Sequence, residues 1–309
     1  MSDQKLFRVL SLDGGGAKGF YTLGILREME AMIGCRLCEK FELIYGSSTG
    51  SIIGSMLGLG MSVQEIIALY QDHVPTVMKE TNAAKRTSAL TKLQKKIFAG
   101  AMFGDMKTHV GVVTAKWMIH EPMIFKTNIN QAFGMKGSFV PGFGVRVGDA
   151  VQASCSAYPY FDRKTVITAK GDNIELIDGG FCANNPTLYA IGDATVSMKN
   201  DPGRVRVVSL GCGSYPAPPA KWWTVDHWKE KTPGVQLLQK TLEINTASME
   251  RLRTLLYAHV PTIRINQTFS EPTMATDLFE HDLVKLNILT QRGQQSFAEN
   301  ELKLRAFLL

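Results

Sequence analysis

Long apolar runs are missing from this sequence. The longest, Ile52 to Met61, is broken by Gly54, Ser55, Gly58 and Gly60, far short of the ~20 residues a membrane-spanning helix requires. Cysteine is scarce too. Its five copies, at 35, 38, 155, 182 and 212, are an odd number without a disulfide framework. Cys35 and Cys38 have C-x-x-C spacing, but no second pair or nearby histidine completes a zinc site. No repeat, low-complexity tract or Pro/Ser-rich linker divides the chain. Met1–Lys5 carry no secretory apolar segment. These absences exclude a helical membrane span and a disulfide-stapled secreted module, and they predict a cytoplasmic protein without a bound metal.

What is present is ordinary globular material. The chain has 309 residues, 45% hydrophobic and 20% charged, ample for a buried core. Its net charge of +6 suits an anionic partner, either phospholipid headgroups or nucleotides. A surplus this small is equally common in proteins with neither.

Apolar patterning alternates strand and helix, which favours a mostly parallel sheet with helices on both faces. A strand at 7–12 leads through glycines to a helix at about 17–33. A second strand at 41–45 leads to a helix beginning near Ser48. Residues 62–107 read as helical and basic, with Lys79, Lys85, Arg86, Lys92, Lys95, Lys96 and Lys107 against Glu80 and Asp105; a solvated face or an anion-facing surface explains such a run. Strands follow at 110–118, 122–127, 174–177 and 204–210, with a helix at 147–156 and another after Asn184-Asn185-Pro186. The tail predicts helices at about 234–258, 276–291 and 295–306, with Leu278, Phe279, Leu283, Leu286 and Leu289 as a docking stripe. Trp222, Trp223 and Trp228 stand among Lys221, Lys229 and Lys231, which suits either an interfacial patch or a loop folded onto the core.

Two glycine turns carry the chemistry. Gly46-Ser47-Ser48-Thr49-Gly50 follows a strand and is a G-x-S-x-G turn, which exposes a serine hydroxyl above a helix N-terminus. Gly14, Gly15, Gly16 and Gly19 follow the first strand, and a glycine run lets backbone N–H groups approach an anionic oxygen. Acyl transfer needs both. Serine also needs a base. None of the histidines at 73, 109, 120, 227, 259 and 281 sits in a glycine turn, whereas Asp178 ends a strand ahead of Gly179 and Gly180. A Ser48–Asp178 dyad is therefore expected, with a histidine base brought in by folding as the alternative.

These residues carry a family resemblance. Asp13-Gly14-Gly15-Gly16-Ala17-Lys18-Gly19, Gly46-Ser47-Ser48-Thr49-Gly50 and Asp178-Gly179-Gly180 resemble, in order, the three signatures of patatin-like phospholipases. Ala153 to Phe161 is similar to the family's small-residue helix before the aspartate strand. The match spans about 7–215, followed by a helical extension at about 234–309, so that 1–309 is expected to form one patatin-like domain. The resemblance implies a three-layer α/β/α sandwich and metal-free hydrolysis of membrane phospholipid acyl esters. It implies Ser48 as nucleophile, Asp178 as proton acceptor and Gly14, Gly15 and Gly16 as the oxyanion hole. Lys18 departs from the arginine common there, which weakens any phosphate-clamping role.

The Asp178 to Pro186 run and helical tail also resemble bacterial patatin-type effectors of cyclic-oligonucleotide antiphage signalling. That kinship implies a cyclic dinucleotide activator, action at the inner membrane surface, no DNA or RNA partner, and room for a homo-oligomer. Segment 79–107 is the candidate sensing surface.

Two other readings compete. A constitutive lipase needs no nucleotide. Gly14-x-Gly16-x-x-Gly19 also satisfies a dinucleotide fingerprint, with Glu39 as the ribose partner, but that oxidoreductase gives Ser48 and Asp178 no role. A catalytically silent module on the same scaffold is a further option.

Overall fold

The computed structural model describes residues 6–134, 136–216 and 233–309. Eight strands form one sheet: β1 (Phe7–Leu12), β2 (Leu43–Ser47), β3 (His109–Lys116), β4 (Pro122–Lys126), β5 (Lys164–Ile167), β6 (Asn173–Asp178), β7 (Val205–Leu210) and β8 (Thr262–Ile265). Their order is β5-β6-β3-β2-β1-β7-β8, with β4 also paired to β3. The central pairs β3/β2, β2/β1, β1/β7 and β7/β8 are parallel, while β4 and β6 run antiparallel to β3 and β5 antiparallel to β6.

Ten α-helices are described: α1 (Gly19–Ile33), α2 (Leu37–Lys40), α3 (Thr49–Gly58), α4 (Val63–Lys79), α5 (Ala83–Phe98), α6 (Val147–Ser154), α7 (Gly180–Ala183), α8 (Thr187–Gly192), α9 (Pro233–Leu256) and α10 (Leu283–Leu308). Alternate residues of each central strand serve opposite faces. Leu10, Leu12, Ile44, Val112 and Val208 pack with α1, α3 and α4 residues such as Phe20, Ile53 and Ile66. Val9, Leu43, Tyr45, Val113 and Val207 pack on the other face with Ala183, Ala190 and Ile191. Each fully buried leucine or valine of this kind contributes ~1.5–3 kcal/mol. The result is the expected three layers.

Four local differences from the sequence reading have physical reasons. β5 and β8 were not anticipated, because each is only four residues long. The basic helical stretch divides into α4 and α5, since Ser62 and Glu65 form a capping box and the Asn82 side chain caps α5. The last two expected helices, 276–291 and 295–306, are replaced by a single α10, uninterrupted at Gly293. A Cβ there would collide with the Tyr21 carbonyl, and one at Gly24 with the Thr290 carbonyl, so these glycines let α1 and α10 touch instead of ending a helix. Finally, the expected stripe divides: Leu286 and Leu289 enter the main core, Leu283 is exposed, and Leu278 lies ahead of α10 in a separate cluster with Leu238 and Leu242. The tryptophan-lysine segment lies outside the described residues. Among the described residues no helix is long and apolar enough to cross a membrane.

Candidate active site

β3 brings two distant turns together. Ser47, the last residue of β2, stands opposite Val113, while Asp178, the last residue of β6, stands opposite Thr114. Consecutive positions on one strand thus fix the places where both turns begin.

At the first turn Ser48 links β2 to α3 with φ +50°, a left-handed conformation uncommon outside glycine. Its flanking glycines are required by close approach. A Cβ on Gly46 would strike the Gly50 carbonyl, and one on Gly50 would strike that of Leu12. The Ser48 N–H donates to Ser154 Oγ at 2.9 Å, and Ser154 in turn donates to Val113 O at 2.6 Å. Ser154 is a supporting residue that the sequence reading did not single out.

The Ser48 hydroxyl donates to Asp178 Oδ2 at 2.8 Å. The other carboxylate oxygen accepts the Gly180 N–H at 2.7 Å. A Cβ on Gly179 would collide with the Val113 carbonyl, which accounts for the glycine after the aspartate. Asp178 is 2% exposed, and burial pushes its carboxyl up to about 7 against the lowering hydrogen bonds from Gly180 and Ser48. A carboxylate at that level is a competent proton acceptor near neutral pH. Burial also raises the neighbouring Cys155 thiol and keeps it neutral.

The glycine run after β1 faces Ser48: a Cβ built on Gly14 would lie 3.1 Å from Ser48 Cβ. One expectation needs correction here. The Gly14 N–H donates to Asn184 O at 2.9 Å, so it is occupied. Among the described residues no acceptor takes the Gly15 or Gly16 N–H. Gly16 has φ +58°, and a Cβ there would collide with Leu278 O. Thr49 and Gly50 open α3 and add the unpaired N–H groups of a helix start.

Two anchors for this loop were not legible in the motifs. Asp13 is buried and pairs with Arg264, whose Nη1 lies 2.8 Å from Oδ1 and whose Nη2 bonds Oδ2. Asn184 donates to Gly14 O at 3.2 Å and Thr246 Oγ1 at 2.7 Å, tying the loop to α9. Lys18 is 3% exposed, with its ammonium 3.5 Å from Glu243.

The cleft over Ser48 is apolar and narrow. It encloses about 60 Å³, roofed by Leu242, Leu278 and Phe279 above Ile52, Val77 and Leu90, well below the ~300–1,000 Å³ of a typical ligand pocket. No histidine lines it among the described residues; His227 lies outside them. Lys85, Lys92 and Lys96 of the basic segment instead line a separate groove with His73, between α4 and α5. Glu39 borders Phe7 and His109 at the starting ends of β1 and β3, the opposite end of the sheet from the glycines, so the dinucleotide reading loses its ribose partner. Among the described residues no three His, Cys, Asp or Glu side chains converge to hold a metal.

Fold and cleft together have the form of a serine hydrolase of the α/β/α type. The family model for patatin-like phospholipases matches residues 10–191. The chain is 55% identical over 307 residues to a cUMP-AMP-activated phospholipase of Escherichia coli, covering 99% of this chain and 95% of that relative. It is 29% identical over 218 residues to a cGAMP-activated phospholipase of E. coli strain TW11681, covering 64% of this chain and 59% of that one. Among solved structures, VipD from Legionella pneumophila shares the fold, with TM-score 0.51 and 14% identity over 99% of this chain and 67% of VipD. The chain belongs to the patatin-like phospholipase family and is a lipid acyl hydrolase.

Proposed function

We propose that Ser48 is the nucleophile and Asp178 the proton acceptor of a phospholipase A-type reaction on membrane phospholipids. The hydrogen bond of 2.8 Å between them carries this reading. Ser48 Oγ attacks the ester carbonyl as Asp178 Oδ2 takes its proton. Negative charge develops on the carbonyl oxygen, and the Gly15 and Gly16 amides receive it; one such donor is worth roughly 3–4 kcal/mol of barrier. The lysolipid alcohol leaves with the proton from Asp178. Asp178 then draws a proton from water, which attacks the acyl-Ser48 ester and releases the fatty acid.

The whole chain, 1–309, acts as one catalytic unit that meets the bilayer peripherally from the cytoplasm. We further propose that a cyclic dinucleotide activates it and that membrane damage in antiphage defence is the outcome. The 55% identity to a cUMP-AMP-activated phospholipase along nearly the full length of both chains supports this. The narrow cleft also fits an enzyme that rests inactive.

The test is fatty-acid release from phosphatidylglycerol vesicles, with and without cUMP-AMP, in EDTA. Nucleotide-dependent release by the wild type and none by Ser48→Ala is the expected result. Equal release by folded Ser48→Ala removes the nucleophile assignment. Release that is full without nucleotide, and unaltered by it, removes the activation.

A further inference from the structure

A crevice roomier than the catalytic cleft lies beside it. It holds about 440 Å³ and lies past the ends of β1 and β7, lined by Asp13, Gly14 and Lys18 on one side and Gly213 and Ser214 on the other. Strand order reverses at this point: β1 leads to β2 and β3 in one direction, and β7 lies in the other. In parallel sheets the crevice outside such a switch point is where ligands bind. Its volume falls within the ~300–1,000 Å³ range of small-molecule sites.

The third wall is α9, and its two faces look into different cavities. Leu238 and Leu242 join Leu278 in the apolar cluster, and Leu242 roofs the cleft over Ser48. Glu243, Thr246, Glu250, Arg251 and Thr254 recur at helical spacing on the face that lines the crevice. Leu242 and Glu243 are neighbours in sequence, so a displacement of α9 felt in the crevice is felt in the cleft. The glycine loop is likewise shared, with Gly14 and Lys18 lining one cavity and Gly15 and Gly16 the other.

The chemistry of the crevice suits a phosphodiester. Its acids are already matched: Asp13 with Arg264, Glu243 with Lys18 across 3.5 Å, and Glu250 with Arg253. Arg251 is exposed and makes no ion pair among the described residues, leaving a guanidinium fork suited to phosphate. Lys18, paired with Glu243 and lying over the Tyr215 ring, is a second cation that an entering phosphate would compete for. Ser214, Thr254 and Asn266 supply hydroxyl and amide groups for bases or ribose. By contrast Lys85, Lys92 and Lys96 in the α4–α5 groove are exposed and lie apart from the glycine loop.

We infer that this crevice binds a nucleotide through its phosphodiesters, and that its occupation moves α9 so that Leu242 leaves the acyl cleft. The inference rests on the proposed activation by a cyclic dinucleotide and gives that activation a place in the fold.

The experiment compares wild type with Arg251→Ala, Ala247→Trp (a crevice-lining position of α9) and a Lys92→Gln/Lys96→Gln variant. Binding of cUMP-AMP and of cGAMP is measured by calorimetry, beside hydrolysis of a short soluble ester. Both crevice variants should bind at least tenfold more weakly, and the lysine variant as wild type. Leu242→Ala should raise phospholipid hydrolysis several-fold in the absence of nucleotide. Unchanged binding in both crevice variants overturns the site, as does loss confined to the lysine variant. A Leu242→Ala enzyme still silent without nucleotide overturns the coupling. If wild type binds neither nucleotide, the site falls together with nucleotide activation, while hydrolysis of the soluble ester shows that the catalytic reading survives.

Discussion

The Ser48 hydroxyl and the Asp178 carboxylate meet at 2.8 Å although 130 positions separate them. β3 makes the encounter unavoidable, because Val113 receives the end of β2 and Thr114 the end of β6. The dyad is thus a property of strand register. A slip of one residue would turn either side chain to the opposite face.

Because burial holds the Asp178 carboxyl near 7, acylation should require more alkaline conditions than an ordinary aspartate would. The kcat/KM of a soluble ester should climb about tenfold per pH unit below 7 and level off near 8. A profile flat down to pH 5 would mean that Asp178 is not the titrating base.

The same shift has a stability consequence. With its pKa raised above the unfolded value of 3.8 to about 7, native Asp178 holds its proton more tightly than the unfolded chain does. Stability contributed by this group is therefore full below about pH 4 and is lost as pH rises through about 7. Asp178→Asn keeps the shape, can still accept from Gly180, and carries no buried charge. It should abolish turnover yet raise Tm at pH 8, by up to ~4 kcal/mol in stability, with little gain at pH 4. Denaturant melts at the two pH values check this; a gain equal at both would contradict it.

Arg264 neutralises Asp13 beneath the glycine loop. Arg264→Met should cost roughly 3–5 kcal/mol, since it leaves a buried carboxylate without its partner. Adding Asp13→Asn should recover part of that loss in urea unfolding. Purely additive losses would show that the pair is not coupled.

Gly16 combines φ +58° with a Leu278 carbonyl that an added Cβ would strike. Gly16→Ala must therefore shift the loop that presents the Gly15 and Gly16 amides. A fall in kcat of roughly 10²–10³-fold is expected, the scale of one lost oxyanion donor, with KM changed much less. A variant of full activity would remove these amides from the mechanism.

The short-range features were readable because their causes are local. Glycines at 46, 50 and 179 are dictated by carbonyls that would strike a Cβ, and such turns leave a signature within a few residues. Asp13–Arg264 spans 251 positions, and nothing near Arg264 announces its partner. β5 and β8 escaped because four residues give too little alternation to read. Gly293 was misleading for the opposite reason: a residue that weakens isolated helices is here the contact point of two packed ones. The occupied Gly14 amide was invisible as well, because its acceptor, Asn184, arrives through the fold.

The decisive measurement is the intact mass of the protein after brief exposure to a small fluorophosphonate, read for wild type, Ser48→Ala and Asp178→Asn. One adduct on wild type, mapped to Ser48, none on Ser48→Ala, and labelling slowed at least a hundredfold in Asp178→Asn is the predicted outcome. An adduct on another residue, or full-rate labelling without the Asp178 carboxylate, would contradict the Ser48–Asp178 dyad.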